Sequence, residues 1–228
     1  MNFNGQKILV LGASGVLGSK ISEELVSQGA VVIGTASTIE GLSRIPSVIT
    51  NKHVVDLADE NSVTIFADKF VGENASLEGV VIASGVVGFN PIEENNSNLA
   101  QKMMNINFGG PANLISRLFP VLKNHTNEKA FIMGITGVVV EQTFPGMSIY
   151  SASKISLSNF LQSIEKEWRR YKIRTIDVHL GHTETGLATR PLFGVAPNMP
   201  TGHTPDHAVS VMLNSTNSDA RIVASSEF

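Results

Sequence analysis

The sequence of 228 residues predicts an α/β fold, a doubly wound parallel sheet of about seven strands, in a single domain over residues 1–228. Short apolar runs rich in β-branched residues alternate with helical patterns, which is the order that β-α-β units produce. Several of these runs are apolar at every position, as parallel strands covered by helices on both faces must be. The strands are expected at residues 7–11, 31–35, 52–55, 80–83, 130–135, 173–179 and 221–224.

Two of the helices that alternate with these strands have clear apolar faces. The first lies between the first two strands and repeats apolar side chains one turn apart, at Leu17, Ile21 and Leu25. Gly29 is expected to end it. The second, much later in the chain, has its apolar face at Leu157, Leu161, Ile164 and Trp168. Both patterns are typical of helices packed on a sheet.

Composition excludes several classes of function. Lys and Arg number 17 and Asp and Glu 20, so the formal charge of −3 gives no strongly basic surface for nucleic acid. The absence of cysteine excludes disulfides, thiolate metal sites and cysteine nucleophiles. No apolar run approaches the roughly 18 residues of a membrane span, and the first residues lack the pattern of a secretory signal. We therefore expect a cytoplasmic protein without membrane or nucleic-acid partners. The six histidines lack a supporting carboxylate set, so no metal site is expected.

A glycine-rich turn follows the first predicted strand, with the spacing Gly-x-x-Gly-x-x-Gly at Gly12, Gly15 and Gly18. Glycines let the backbone approach a pyrophosphate closely, and the helix that follows offers N–H groups and a partial positive charge. This context favours a dinucleotide site, and the alternative is a tight strand–helix turn without a ligand. A phosphate-binding loop of the nucleoside triphosphatase type ends in Gly-Lys-Ser/Thr. It is disfavoured here because Gly18-Ser19-Lys20 has the serine before the lysine.

The residues after the second strand indicate which dinucleotide is preferred. An acidic residue that would bond the adenosine ribose is expected about 20 residues after the glycines. The sequence instead has Thr35-Ala36-Ser37-Thr38 there, which offers hydroxyls and no carboxylate to repel a 2′-phosphate. NADP is therefore favoured, with NAD as the alternative, and Ala36 and Ser37 are candidate contacts. Arg44 is expected to be a more distant helper.

Tyr150 and Lys154 open the long later helix, four residues apart and therefore on one face. An ammonium near a phenol stabilises the phenolate, so we expect a lowered pKa for Tyr150. Such a tyrosine is a credible proton donor to the alkoxide that forms when hydride reaches a carbonyl. The alternative is an exposed Tyr–Lys pair without a chemical role.

Taken in order, the motifs resemble those of the short-chain dehydrogenase/reductase family over nearly the whole chain, which implies a Rossmann-like fold. The matching pieces are the loop at 12–18, Asp56-Leu57, Ala83-Ser84-Gly85, Asn107, Tyr150-x-x-x-Lys154, and Gly181 with Thr185. Three pieces depart from the usual family pattern. The glycine spacing is atypical, Ala83-Ser84-Gly85 stands in place of Asn-Ala-Gly, and Leu180 stands where a proline often precedes Gly181.

The resemblance implies a role for each matching residue. Gly12, Ser14, Gly15, Leu17 and Gly18 would hold the cofactor phosphates. Asp56 and Leu57 would meet the adenine, and Ala83, Ser84 and Gly85 the adenosine ribose region. Tyr150 would be the catalytic acid and base, and Lys154 would bond the nicotinamide ribose. Asn107 would belong to a water-linked proton path to Lys154, and Thr183 or Thr185 would contact the carboxamide.

The family's usual catalytic serine is absent. It stands 13 residues before the tyrosine, where this sequence has Gly137. Thr136 is adjacent but should face the other way on a regular strand, so it could hold the substrate oxygen only if the backbone is irregular. Ser148, Thr143 and His182 are the other candidates. If only this donor is missing, Gly137→Ser is expected to raise activity.

These observations predict an NADP(H)-dependent oxidoreductase that interconverts a carbonyl and an alcohol. The irregular segment 181–204 contains three prolines and four glycines and is expected to be the substrate lid. Its apolar residues predict a mainly apolar small-molecule substrate: Leu187, Leu192, Phe193, Val195 and Met199. The family resemblance implies a homodimer or homotetramer that pairs through helices near 99–118 and 151–171, and the second of these helices has a wide apolar stripe. The alternative is a dinucleotide-binding sensor or regulatory subunit whose chemistry has decayed.

Overall fold

All seven predicted strands form in the computed structural model, which describes residues 3–228; Met1 and Asn2 of the predicted domain lie outside this range. The strands are β1 (Lys7–Leu11), β2 (Val31–Ala36), β3 (Asn51–Val54), β4 (Gly79–Ile82), β5 (Ala130–Ile135), β6 (Ile173–Val178) and β7 (Ile222–Val223). They pair in parallel in the order β3-β2-β1-β4-β5-β6-β7. The doubly wound single-domain fold is confirmed, with strand ends shifted by one residue from several of the predicted bounds.

Helices cover both faces of the sheet. The described residues form α1 (Val16–Ser27), α2 (Ile39–Leu42), α3 (Glu60–Glu73), α4 (Ser97–Met104), α5 (Gly110–Leu122), α6 (Ser148–Trp168) and α7 (Pro205–Ser215). Helices α1 and α7 pack together on one face, and α3, α5 and α6 cover the other. The two helices predicted from apolar periodicity are α1 and α6. Continuous apolar runs were the correct signal for the central strands β1, β4 and β5, because these strands are buried on both faces.

The sheet separates two apolar cores, and alternate residues of one strand enter each core. In β1, Leu9 and Leu11 join the core under α3, α5 and α6. Ile8 and Val10 join the core under α1 and α7. All four side chains are fully buried, so a polar replacement at any of them would leave an unsatisfied group in an apolar layer.

The chain reverses its winding direction beside β1, which places a crevice at the carboxyl ends of β1 and β4. Strand β2 lies on one side of β1 and β4 on the other. Ligands of open α/β sheets bind at such a switch point. The glycine loop follows β1 and residues 83–85 follow β4, so both predicted cofactor segments meet at this crevice.

The segment 181–204 is irregular and packs back over the loop that follows β4. The Phe89 N–H donates to the Phe193 carbonyl oxygen at 3.0 Å, and the Leu192 N–H donates to the Val87 carbonyl oxygen at 2.7 Å. A Cβ atom added at Gly88 would lie 2.5 Å from the Phe193 ring. No helix within residues 3–228 is long and apolar enough to cross a bilayer.

Candidate active site

The glycine loop is built so tightly that two of its three glycines are required by packing. Gly12 has φ +80°, and a Cβ atom there would lie 2.8 Å from Ser84 Cα. A Cβ atom at Gly18 would lie 2.2 Å from the Gly12 carbonyl oxygen, because α1 approaches the loop backbone closely. The Gly12 N–H donates to the Thr35 hydroxyl at 3.2 Å. The loop is therefore locked between β2 and the end of β4.

The third glycine leaves an open edge at the start of α1. Gly15 is exposed, and its N–H donates to the Gly12 carbonyl oxygen at 2.9 Å. Helix α1 begins at Val16, and in the described chain its first turn has no side-chain cap and no acidic residue. The free N–H groups of this turn and the positive end of the helix dipole favour an anion such as a phosphate. Beside this edge, the Ser84 hydroxyl is buried without a hydrogen-bond partner among residues 3–228.

In the turn after β2, two of the three hydroxyls that were expected to be available to a 2′-phosphate are hydrogen-bonded to the backbone. Thr35 is buried and accepts the Gly12 N–H, and the Thr38 hydroxyl caps α2 by accepting the Gly41 N–H at 3.1 Å. Both threonine hydroxyls therefore support the backbone. Ala36 is buried and Ser37 is exposed, so Ser37 is the hydroxyl left at the surface of the turn.

Arg44 lies closer to this turn than the sequence suggests. Its Nη2 is 3.5 Å from the point that a Cβ atom at Gly41 would occupy. The same point is 3.4 Å from Thr38 Oγ1 and 2.9 Å from Ala36 Cβ. The short helix α2 therefore brings the arginine and the end of β2 close to the same glycine, a proximity that distance along the sequence does not indicate.

Asp56 and Leu57 form a tight turn after β3. The Asp56 carboxylate accepts the Ala58 N–H at 2.9 Å, and the Asp56 N–H donates to the Ser62 hydroxyl at 3.0 Å. A Cβ atom at Gly110 would lie 2.1 Å from the Leu57 carbonyl oxygen, so the start of α5 packs directly on this turn. The predicted adenine-contacting residues are thus fixed in place by backbone contacts.

Tyr150 and Lys154 reach from α6 to the ends of β4 and β5. The Lys154 side chain is buried, and its Nζ donates to the Ile135 carbonyl oxygen at 2.9 Å. This Nζ lies 3.1 Å from the position of a Cβ atom at Gly85, and the Tyr150 hydroxyl lies 3.9 Å from the corresponding position at Gly137. The predicted pair is therefore directed at the strand ends, not at solvent.

The pKa of Tyr150 moves in the direction opposite to the one expected. Burial raises it to about 12, with no opposing contribution from Lys154, so the prediction of a lowered pKa is wrong for this arrangement. Burial lowers the pKa of Lys154 to about 8, and the negative charge of Asp177 partly offsets that effect. The phenol therefore holds its proton at neutral pH, as a proton donor must.

Asn107 lies in a single π-helical turn, Asn105–Gly109, that joins α4 to α5. Its side chain is fully buried and pairs with both backbone groups of Val86, accepting the N–H and donating to the carbonyl oxygen, each at 2.9 Å. It also donates to the Ser153 hydroxyl at 2.9 Å, and Ser153 donates to the Tyr150 carbonyl oxygen at 2.7 Å. Asn107 therefore ties the loop after β4 to the helix that carries Tyr150 and Lys154. The sequence reading missed Ser153, although it lies three residues after Tyr150 on the same helix face.

The Thr136 hydroxyl is engaged by β6. It is fully buried and donates to Asp177 Oδ1 at 2.5 Å and to the Val178 carbonyl oxygen at 3.1 Å. A hydroxyl held in this way has no proton for a substrate oxygen at the Tyr150 side. Because the hydroxyl is bonded to Asp177 and to the Val178 carbonyl oxygen, the conditional assignment of Thr136 as substrate-oxygen holder lacks structural support.

Gly137 occupies a backbone conformation that other residues avoid. It has φ +89° and ψ 164°, a region that is essentially restricted to glycine. A Cβ atom there would have room, with Leu180 O at 3.5 Å and the Tyr150 hydroxyl at 3.9 Å, yet the backbone would be strained. The expectation that Gly137→Ser raises activity therefore loses its structural basis.

The other polar residues that were predicted around the crevice have different hydrogen-bond partners and different exposure. The Thr183 hydroxyl donates to the Gly181 carbonyl oxygen at 3.1 Å, and the Thr185 hydroxyl accepts the Leu187 N–H at 3.3 Å. His182 Nε2 lies 3.4 Å from Glu184 Oε1. Ser148 and Thr143 are exposed near the start of α6. Across the described chain, no group of three or more histidine, aspartate or glutamate side chains is placed to hold a metal ion.

The chain is similar to known proteins in sequence and in fold. The family model described as short chain dehydrogenase matches residues 6–191. The 3-oxoacyl-[acyl-carrier-protein] reductase FabG of Haemophilus influenzae is 26% identical over 207 residues, which is 87% of this chain and 84% of that protein.

Two solved structures share the fold over nearly the full length. A short chain dehydrogenase from Burkholderia cenocepacia in complex with NADP has a TM-score of 0.84 and 21% identity, covering 98% of this chain and 89% of its own. One from Burkholderia phymatum in complex with NAD has a TM-score of 0.84 and 16% identity, covering 99% and 90%. With a family model matched over most of its length, and the expected fold around the glycine loop, the chain belongs to the short-chain dehydrogenase/reductase family.

Proposed function

We propose that this protein is an NADP(H)-dependent oxidoreductase that interconverts a carbonyl and an alcohol. The observation that carries the proposal is the meeting of two features at one crevice. The glycine loop offers a phosphate cradle, and the Tyr150 hydroxyl, the Lys154 ammonium and the Asn107 amide lie at the neighbouring strand ends. A dinucleotide that lies across such a crevice brings its reactive ring beside the tyrosine.

The residues of the crevice fit a dinucleotide. The phosphates would be held at the start of α1 by Gly12, Ser14, Gly15, Leu17 and Gly18. Asp56 and Leu57 would meet the adenine, and the buried unpartnered hydroxyl of Ser84 would find an acceptor or donor on the ribose beside Ala83 and Gly85. The bound nicotinamide supplies or accepts the hydride. Thr183 and Thr185 remain the proposed contacts of its carboxamide.

The adenosine end favours NADP over NAD. The turn after β2 has no carboxylate, and the Arg44 guanidinium and the Thr38 hydroxyl both lie about 3.5 Å from the point that a Cβ atom at Gly41 would occupy. A 2′-phosphate at Ser37 would therefore gain a charged hydrogen-bond donor and meet no like charge. The related structure from Burkholderia cenocepacia is bound to NADP, whereas the one from Burkholderia phymatum is bound to NAD.

Proton transfer is assigned to Tyr150. Its phenol is protonated at neutral pH because burial raises its pKa to about 12, so it is ready to protonate an alkoxide. Lys154 lies one turn after Tyr150 on α6, and its ammonium is held by the Ile135 carbonyl oxygen. Asn107 bonds both α6 and the loop after β4, and so fixes the helix against that loop. The lysine would bond the nicotinamide ribose, and the asparagine would support a water-linked path to it.

The substrate is proposed to be mainly apolar. Exposed hydrophobic side chains of the segment 181–204, which we propose as the lid, include Leu187, Val195 and Met199, and Phe144 is exposed on the loop before α6. The relative from Haemophilus influenzae is named for reduction of 3-oxoacyl groups, which are apolar chains with a carbonyl. Burying such a chain against the lid would be favourable by about 25 cal/mol per Å² of apolar surface.

The chain is proposed to act as a homodimer or homotetramer. The pairing surfaces would be the helices over residues 99–118, which include parts of α4 and α5, and the helix α6. Ile155 of α6 is 44% exposed, which leaves an apolar side chain for a partner to cover.

We predict that the purified protein oxidises NADPH when given 3-oxoacyl thioesters or aliphatic ketones and aldehydes. The catalytic efficiency should rise as the apolar chain lengthens, by up to about fourfold per methylene, because each buried CH₂ contributes about 0.8 kcal/mol. The measurement is the initial rate of NADPH absorbance loss across a series that differs in chain length alone. Binding of NADPH with no turnover across the series would contradict the enzyme and favour the alternative, a sensor without chemistry, to which the missing donor at Gly137 points.

A further inference from the structure

A buried carboxylate stands behind the catalytic lysine. Asp177 lies in β6 with its side chain fully buried on the side of the strand that faces α6. Its Oδ1 accepts the Thr136 hydroxyl and its Oδ2 accepts the Ser158 hydroxyl, each at 2.5 Å. Two hydroxyls solvate a carboxylate without neutralising it, so the negative charge needs a cation nearby.

The charged groups that face Asp177 come from three elements. Helix α6 contributes Lys154, the pKa of which is raised by the negative charge of Asp177. Strand β6 continues into His179, whose Nε2 is 3.2 Å from Asp177 Oδ2. The loop after β5 contributes Glu141, which lies 2.9 Å from His179 Nδ1 and also accepts the Ser225 N–H at 2.9 Å.

A further carboxylate of α6 is engaged elsewhere. Glu165 accepts the Thr175 hydroxyl at 3.0 Å and pairs with Arg221. The His179 imidazole lies between the carboxylates of Glu141 and Asp177. Among the described residues, Lys154 makes no ion pair within 4 Å, and Asp177 is the carboxylate whose charge raises its pKa.

Backbone geometry joins the same two residues. Lys154 Nζ donates to the carbonyl oxygen of Ile135, and the next residue, Thr136, donates its hydroxyl to Asp177. Gly134 of β5 is the register partner of Asp177 in β6. The carboxylate thus holds the end of β5 whose carbonyl oxygen receives the lysine.

We propose that Asp177 is a positioning residue of this oxidoreductase site: it is the buried counter-charge that keeps Lys154 protonated and, through Thr136, fixes the Ile135 carbonyl that orients the lysine. The inference deepens the proposed function and rests on it. It also explains why the Thr136 hydroxyl donates to Asp177, which a role as donor to a substrate oxygen would not explain.

The first test compares Asp177→Asn with Ser158→Ala. The second variant removes one hydroxyl from the same carboxylate and keeps the charge, so it controls for local structural damage. In the wild type, NADPH affinity should weaken as the pH rises through the lysine pKa of about 8, because the cation that bonds the nicotinamide ribose is lost. Asp177→Asn should move this transition to lower pH by about one unit, and Ser158→Ala should leave it in place.

An unmoved transition in Asp177→Asn, or equal movement in both variants, overturns the inference. If NADPH does not bind to the wild type at all, the proposed function fails and this test has no signal. A second measurement without cofactor or substrate therefore decides the inference by itself.

That measurement is a double-variant cycle on the thermal midpoint, with Asp177→Asn, Lys154→Met and both together, at pH 7. In the wild-type background, Asp177→Asn takes the proposed counter-charge away from a buried ammonium and should lower the midpoint. In the Lys154→Met background, the same change removes an uncompensated carboxylate and should lower the midpoint less, or raise it. Equal losses in the two backgrounds would show that the two charges are independent and would overturn the inference.

Discussion

Replacing Tyr150 with phenylalanine is expected to lower the rate of carbonyl reduction by about 10²–10⁴-fold, the range that one positioned proton donor supplies. The ring remains to fill its place on α6, so the fold should persist. The variant also loses any hydrogen bond from the hydroxyl to the cofactor, which limits the loss of NADPH affinity to about tenfold. Turnover rate and NADPH dissociation constant, measured on the same preparation, separate the two effects.

The second tyrosine of the chain provides a matched control. Tyr171 packs its ring on Phe119 beyond the end of α6, so Tyr171→Phe makes the same chemical change away from the crevice. It should leave turnover unchanged. Equal rates for wild type and Tyr150→Phe would remove Tyr150 from the mechanism.

Reduction and oxidation need Tyr150 in different protonation states, so the two rates should depend differently on pH. A pKa of about 12 means that the acid form needed for reduction is present across neutral pH. Alcohol oxidation needs the deprotonated form, so its rate in the wild type should rise with pH toward the alkaline range.

Replacing Gly12 with alanine is expected to abolish tight NADPH binding. The new Cβ would lie 2.8 Å from Ser84 Cα, and φ of +80° disfavours any side chain, so the loop must move away from the end of β4. Displacement that breaks one charge-assisted hydrogen bond to a phosphate costs about 1.5–3 kcal/mol, which corresponds to about 10- to 150-fold in affinity. NADPH titration and the thermal midpoint measure the two consequences.

Gly5→Ala separates loop displacement from backbone strain. Gly5 also has a positive φ, +72°, but no atom lies within 4 Å of its added Cβ. Its variant should lose about 1–2 kcal/mol of folding free energy and keep its NADPH affinity. If both variants lost affinity equally, the defect would come from stability and the close contact with Ser84 would be unimportant.

The fold could be predicted from sequence because each strand carries its own signal. β1, β4 and β5 are buried on both faces, and this burial produces the continuous apolar runs. The strand ends shifted by a residue because hydrogen bonding to neighbours, which apolar pattern does not report, decides where pairing stops.

The parts of the site that depend on backbone conformation were harder to predict from the sequence. The positive φ of Gly137 and the π-helical turn around Asn107 are not marked by any residue pattern in their neighbourhood. The partner of Thr136 is Asp177, 41 residues along the chain, and only the pairing of β5 with β6 brings them together. The pKa of Tyr150 was misjudged because spacing on a helix shows a neighbouring charge and not the burial that opposes it.

The most direct test of the central claim is a titration of the wild type and of Arg44→Ala with NADPH and with NADH, followed by nicotinamide fluorescence. Tight NADPH binding and weak NADH binding are predicted for the wild type. Arg44→Ala should weaken NADPH by about 10- to 150-fold, the value of a charge-assisted contact, and leave NADH unchanged. Tighter binding of NADH than of NADPH by the wild type would contradict the cofactor preference. Binding of neither would contradict the oxidoreductase itself, because Tyr150 would have no hydride chemistry to serve.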